Sequence, residues 1–526
     1  MISLVSQGIS VAPKQPLLDA DVQQGVMIGH CPGRVHLQAL LDSPALINQL
    51  SQYAFSKQWQ KLQFDYEQAG LDIGQHHDGL KEQLFNLPIP IDSLQMFQEI
   101  FPQAHQQMRY TNEQQRAWLP LGVEDFFAYQ DDVQSAQQPR FQHQKKRLWV
   151  VVVDPHLAQQ GFLASFDDDS LDLNNQGSYS ALANALQITG ASMLMMPDLE
   201  RLQLASTKTS VPRMRLANIQ PQFLPCRFEH QDSHRERRHS HEIIETVEPQ
   251  PFDQILGAIL KVLTIQRPDL HLVLSVPYSL PDSLDSSTFA DNTLLSPQTL
   301  AAIEHLQHSE LQRHLHQIQL VYPYLIDNNA TLRSASPIIA RQMLDTTEQL
   351  GAWRSIAGQR LTSQYQRYPQ QIDQTTLKAA KDHGIALLTA KKGNISLDQE
   401  RLVSIPALQR NDFTRSGEIS RFMGWLRRQL ERLAVDFIFT FDTQDPRPLL
   451  TLTQFFNQLF NAGALQGDKP EDAFSVIQLS SDQQLVFEIA LQPVFAIQRI
   501  KLHIVNGKLE GFLGSGLSAS LESVDA

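Results

Sequence analysis

The sequence predicts a multidomain protein of α/β and α+β class, with a central α/β domain and a C-terminal α+β domain. Three observations carry that expectation. The chain has 526 residues, more than one ordinary core accommodates. Short apolar runs of strand length alternate with helix-like segments over most of it. The last third instead combines amphipathic helices with short strands whose apolar residues alternate.

Taken in order, the strand-like runs are Val26–Gly29, Leu148–Val153, Ser192–Met196, Leu272–Val276, Ile318–Leu325, Ile385–Thr389 and Phe437–Phe441. Several are apolar on both faces, as strands covered by helices on both sides would be. Phe252–Leu263 and Pro297–Gln319 read as helices between them. Tyr129–Lys146, rich in Gln, Asp and Lys, reads as a linker. Phe228–Pro251 carries the run Gln231–His241, too polar to build a core, and is expected to be a mobile surface loop. The organisation expected is an N-terminal arm (1–22), an N-terminal α/β portion with an insertion (23–128) and a linker (129–146). A central α/β domain (147–370) holding the loop 228–251, a C-terminal domain (371–505) and a flexible tail (506–526) follow.

Composition narrows the function. A net charge of -13 opposes non-specific contact with nucleic acid or an anionic membrane face. The two cysteines, Cys31 and Cys226, are too few for a disulfide framework and fit synthesis in a reducing cytoplasm. No run of about 18 apolar residues predicts a membrane span, and the N-terminus lacks a basic region followed by a long apolar one. Glycine, at 24 residues, is scarce for an enzyme with several phosphate or cofactor loops.

Individual chemistries are weighed on the same terms. His230, His234, His239 and His241 could bind a transition metal, but only Cys226 lies nearby and the spacing is irregular, so a solvated loop is expected. Asp154 and Asp198 follow apolar strands, where α/β enzymes place catalytic groups. Without a companion nucleophile they read as turn or helix-cap residues. Asp167–Asp169 lacks a second acidic motif for magnesium, and Gly511–Ser518 matches neither a phosphate loop nor a nucleophile elbow. Cys31 lacks a basic neighbourhood beyond Arg34 that would activate a thiol.

The C-terminal block is the most informative. Glu418–Ala434 forms an amphipathic helix with Ile419, Phe422, Met423, Leu426, Leu430 and Leu433 on one face. The aromatic run 437–441 reads as a strand. A second helix begins at Asp445-Pro446 with Leu449, Leu452, Phe456, Leu459 and Phe460 as its stripe. Leu485–Leu491 and Ala496–Ile504 alternate as strands, giving a small three-stranded sheet.

Between and after these come Gly463–Gly467 (Gly-Ala-Leu-x-Gly), Pro470–Phe474 (Pro-x-x-Ala-Phe), and Glu488, Ile489, Pro493 and Val494 (Glu-Ile-x-x-x-Pro-Val). With Arg421 near the start of the first helix and Phe437 leading the aromatic run, this order resembles the C-terminal domain of tail sheath proteins. Those occur in contractile phages, R-type bacteriocins and extracellular contractile injection systems. Val321–Leu325, Ser336-Pro337, Ile339–Arg341 and Gly351–Trp353 resemble the family's tyrosine-rich strand, its Pro-containing loop and its Gly-x-Trp segment. Val26–Pro44 resembles its early strand and turn. The chain departs from the family at Gly393–Leu402, where a Trp-Gly-Ala-Arg-Thr-like segment is usual, and in lacking a Pro-Gly-Val-Tyr-type arm.

The resemblance implies a homo-oligomer of stacked hexameric rings around an inner tube, with baseplate and other sheath components as further partners. Terminal arms would donate strands to a neighbour's C-terminal sheet. It implies no catalytic, cofactor or metal residue. Arg421, Arg499, Lys501 and His503 are expected at the assembly interface, and Lys501→Pro is expected to block assembly. Two alternatives remain open: a non-contracting baseplate or cap adaptor, and an α/β enzyme using Asp154 or Asp198.

Overall fold

A computed structural model describes residues 24–41, 50, 53, 55–69, 80–104, 117–134, 147–157, 160–163, 181–203, 251–278, 295–329, 331–362, 364–391, 393–403, 416–440, 445–479, 486–494, 500–505 and 508–510. The histidine-rich run, Asp167–Asp169, Cys226, Arg499, Gly511–Ser518 and the 1–22 arm lie outside these residues.

The apolar runs assemble into one nine-stranded sheet. Its centre is β1 (Gln24–Gly29), β3 (Leu148–Val152), β4 (Ala191–Met195), β5 (His271–Ser275) and β6 (Ile318–Tyr322). Each is buried nearly throughout, as a parallel sheet under two helical layers requires. The order is β2-β3-β1-β4-β5-β6-β11-β12-β9. The run from β3 to β11 (Ala386–Lys391) is parallel. Antiparallel strands close both ends: β2 (Pro88–Ile91) on one, and β12 (Asn394–Leu397) with β9 (Arg360–Thr362) on the other. The strands at 386–397 therefore belong by pairing to this sheet. The run Ile318–Leu325 divides at Pro323, which has no N–H for a ladder. Beyond it β7 (Tyr324–Ile326) joins β8 (Leu332–Arg333) and β10 (Gln366–Tyr368) in a separate antiparallel sheet.

A second hydrophobic core lies in the C-terminal third, built from the helices Gly417–Thr440 and Arg447–Asn461 against a four-stranded antiparallel meander. That sheet runs β13 (Phe474–Gln478), β14 (Val486–Leu491), β15 (Ile500–Val505), β16 (Lys508–Glu510). Rings of Trp353, Phe422, Trp425, Phe455 and Phe456 pack with neighbouring centroids 5.2–6.4 Å apart.

Several sequence expectations are corrected. Phe437–Thr440 is not a strand: the helix from Gly417 continues through it for 24 residues. A helix already nucleated extends at one hydrogen bond per residue, whereas a strand there would have to begin anew. The terminal sheet accordingly has four strands without the aromatic run. Pro297–Gln319 is not one helix: it ends at Gln307, and a 3₁₀ segment, Glu310–Gln317, leads into β6 after Ser309 accepts from Leu311 N–H. The linker 129–146 begins inside the helix Trp118–Gln134, and the tail contributes β16.

Candidate functional site

The carboxyl ends of parallel strands are where α/β folds hold ligands. Asp198, just after β4, is fully buried. It accepts from Trp118 N–H and Leu119 N–H at 2.8 Å, capping the helix Trp118–Gln134, and from His30 N–H at 2.9 Å. Arg201 Nε adds a fourth bond at 3.2 Å. A Cβ at Gly29 would sit 2.5 Å from the Asp198 carboxylate, so only glycine lets β1 pass this close. His30 is held to about 4 by burial, the nearby Arg201 adding to the effect, and stays neutral. Asp198 is therefore a cap, and the spacing that suggested a catalytic group reflects helix placement. Asp154 lies at the corresponding end of β3, half-buried, and Cys31 is buried next to His30.

Glu200, two residues beyond Asp198, faces serines. Its Oε1 accepts from Ser336 Oγ at 2.7 Å, and Ser334 lies 2.8 Å from Ser336 and 3.3 Å from Ser275. Burial pushes its carboxyl up to about 8, against the serine hydrogen bonds. Among the described residues no group of His, Cys, Asp and Glu is arranged to hold a metal, and no helix is long and apolar enough to cross a membrane.

The C-terminal sheet is where the quoted motifs converge. Gln466 N–H donates to the Gln492 carbonyl at 2.8 Å and Val494 N–H to the Ala464 carbonyl at 3.0 Å, joining the Gly463–Gly467 turn to Pro493-Val494. Gln492 N–H donates to Ala473 at 2.8 Å, tying in Pro470–Phe474. Ala352 and Trp353, remote in sequence, pack into the same core.

The four residues expected at an assembly interface fare differently. Arg421 lies inside the chain, its side chain 1% exposed and its guanidinium 2.8 Å from Glu400. Lys501 and His503 lie on β15 opposite Ala490 and Glu488. His503 is also paired to Glu510 of β16, so the terminal strand is not an open edge along 503–505.

A second edge lies at the other end of the sheet. Among the described residues β13 pairs only with β14. Leu479 N–H donates to Val486 at 2.8 Å, and Ala473 accepts from Gln492, so odd-numbered residues bond inward. Val476 thus turns its backbone groups to the outer edge. Phe474 and Val476 pack on the core, while Ile477 and Leu479 are 49% and 51% exposed. Residues 474–479 carry no charge and no proline. The sequence expectation places this edge on the last strand, whereas Lys508–Glu510, three residues long and too short to read from sequence, pairs there.

The chain matches no protein-family model and no curated protein. Among solved structures it is similar to the helical sheath of the anti-feeding prophage in its contracted state, at 12% identity over 95% of this chain and 98% of that one, TM-score 0.45. It is similar to the contracted PVC sheath complex, an extracellular contractile injection system, at 12% identity over 78% of this chain and 86% of that one, TM-score 0.44. A chain of the anti-feeding prophage baseplate in its contracted state is similar at 14% identity over 78% and 86%, TM-score 0.48.

Proposed function

We propose that this chain is a structural subunit of the contractile sheath of a phage-tail-like injection system. It polymerises as stacked hexameric rings around an inner tube, meets a baseplate at one end, and is made and assembled in the cytoplasm. The observation that carries this reading is the C-terminal unit. Motifs that resemble those of sheath proteins converge there on one small sheet, and among the described residues that sheet ends in an uncharged, largely apolar strand, β13, paired on one side. Long edges of that kind are ordinarily guarded by charge or proline, and an unguarded one suits strand addition from another copy. The reading requires no catalysis. The buried bonds of Asp198 agree with a scaffold role for the crevice.

Negative-stain imaging and light scattering of the purified full chain test the proposal. Tubes or stacked rings of uniform width are expected at micromolar concentration or beside the inner-tube protein. A strict monomer under both conditions overturns it. Single rings that never stack would instead select the non-contracting adaptor.

A further inference from the structure

The helix Gly417–Thr440 carries Arg421, Gly424 and Arg428 at steps of three and four, which places them along one face. Each meets the large-sheet unit. Arg421 Nη2 lies 2.8 and 2.9 Å from the two Glu400 oxygens, with Nε at 3.2 Å, and Nη2 also donates to the Arg354 carbonyl. Two turns on, Arg428 Nη1 donates to the Asp269 carbonyl at 2.8 Å and to its carboxylate at 3.0 Å.

Asp269 is in turn gripped by Arg267 through both oxygens at 2.9 Å. Arg267 also donates to the carbonyls of Leu186, Ile188 and Ala191, at the start of β4. Between the two pins a Cβ at Gly424 would lie 2.4 Å from the Asp269 carbonyl oxygen, so helix and loop touch backbone to backbone. Burial pushes the Asp269 carboxyl up, and Arg267 and Arg428 more than offset this, holding it below the usual range.

We infer that Arg421–Glu400 and Arg428–Asp269, with Gly424 between them, form a rigid joint that locks the C-terminal sheet unit to the large-sheet unit as one mechanical body. A single pin would leave a pivot. Two pins about 10 Å apart along the helix axis, at 1.5 Å per residue, leave only a hinge about the line joining them, and Trp353, packed into the C-terminal core, opposes that hinge. Both pairs are buried, so removing one partner leaves the other charge unpaired in an interior that cannot solvate it. On the sheath reading, on which this consequence rests, contraction is then a movement between subunits with the joint unchanged. The joint itself does not depend on that reading.

Amide hydrogen exchange on the purified full-length chain tests it. In the wild type, protection along 419–430 is expected to match that of β5 and β6, because the two units open together. In Asp269→Asn, protection of 419–430 and β14 is expected to fall on the order of a hundredfold while β5 and β6 keep theirs. Gly424→Ala is expected to act in the same direction. The inference is overturned if the wild-type helix exchanges independently of β5, or if the variants lower both units equally or neither. Should Asp269→Asn not fold, the wild-type comparison and Arg428→Lys decide by the same criteria. Failure of the wild type to form tubes would sink the sheath reading and leave the joint standing.

Discussion

Burial raises the Glu200 carboxyl to about 8, against the serine hydroxyls that bond to it, whereas an unfolded glutamate titrates near 4.5. The folded chain therefore binds the extra proton between those values, and its stability falls as pH rises through them. His30 and His271 work the other way, lowered by burial to about 4 and about 3 from 6.5, so their contribution rises with pH only up to about 6.5. Asp125, which burial lifts to about 6, is also spent by then. Among the described residues Glu200 is a group whose displaced titration spans pH 6.5 to 8, with a slope of at most about 1.4 kcal/mol per pH unit. Thermal melts across that range should show the wild-type Tm declining and Glu200→Gln nearly flat; parallel curves would refute the assignment. Asp198→Ala should instead lower stability at every pH by about 3–5 kcal/mol, measured by denaturant unfolding, since three N–H groups and Arg201 lose their acceptor. Asp198 was legible in the sequence as a strand-end carboxylate. Glu200 was not, because Ser275, Ser334 and Ser336 lie far along the chain and leave no spacing to read.

Elements were legible in proportion to how much of their packing is local. The central strands read correctly because burial on both faces writes a continuous apolar run, as in Leu148–Val152. The run 437–440 misled because alternating Phe and Ile score as a strand by composition, while continuity with the helix from Gly417 decides the outcome. Gly351 shows how an element can end one core and feed another. It closes the helix Ser336–Leu350 with φ at 102°, its N–H donating to Thr346 and Thr347 at 3.1 Å. A Cβ there would lie 2.4 Å from the Trp353 ring, which packs in the C-terminal core. Gly351→Ala should cost roughly 1–3 kcal/mol in backbone strain and displace Trp353 as well. The expected readout is a lower urea midpoint with altered tryptophan fluorescence, and an unchanged midpoint would show that the turn relaxes freely.

At the scale of the molecule, the sequence located the C-terminal sheet but not the pairing of its last strands. Hairpin pairing of β16 with β15 covers 503–505, so β13 rather than the last strand is the proposed docking edge. Ile477 makes the cleanest test, since it is half-exposed and its neighbour Val476 faces the core. A lysine at 477 should change stability by no more than about 0.5 kcal/mol, as at most surface positions. It should nevertheless abolish tubes, because an added strand would have to bury that charge beside its own side chains, the device by which natural edges refuse partners. Ile265→Lys provides the control: that side chain is 83% exposed on a helix of the other unit, and tubes should persist. Imaging both variants beside the wild type separates the effects. Loss of assembly in Ile477→Lys alone, with an unchanged melt, supports β13 as the docking edge. Normal tubes from Ile477→Lys would mean that subunits join elsewhere, and the strand-addition account of this sheet would fall.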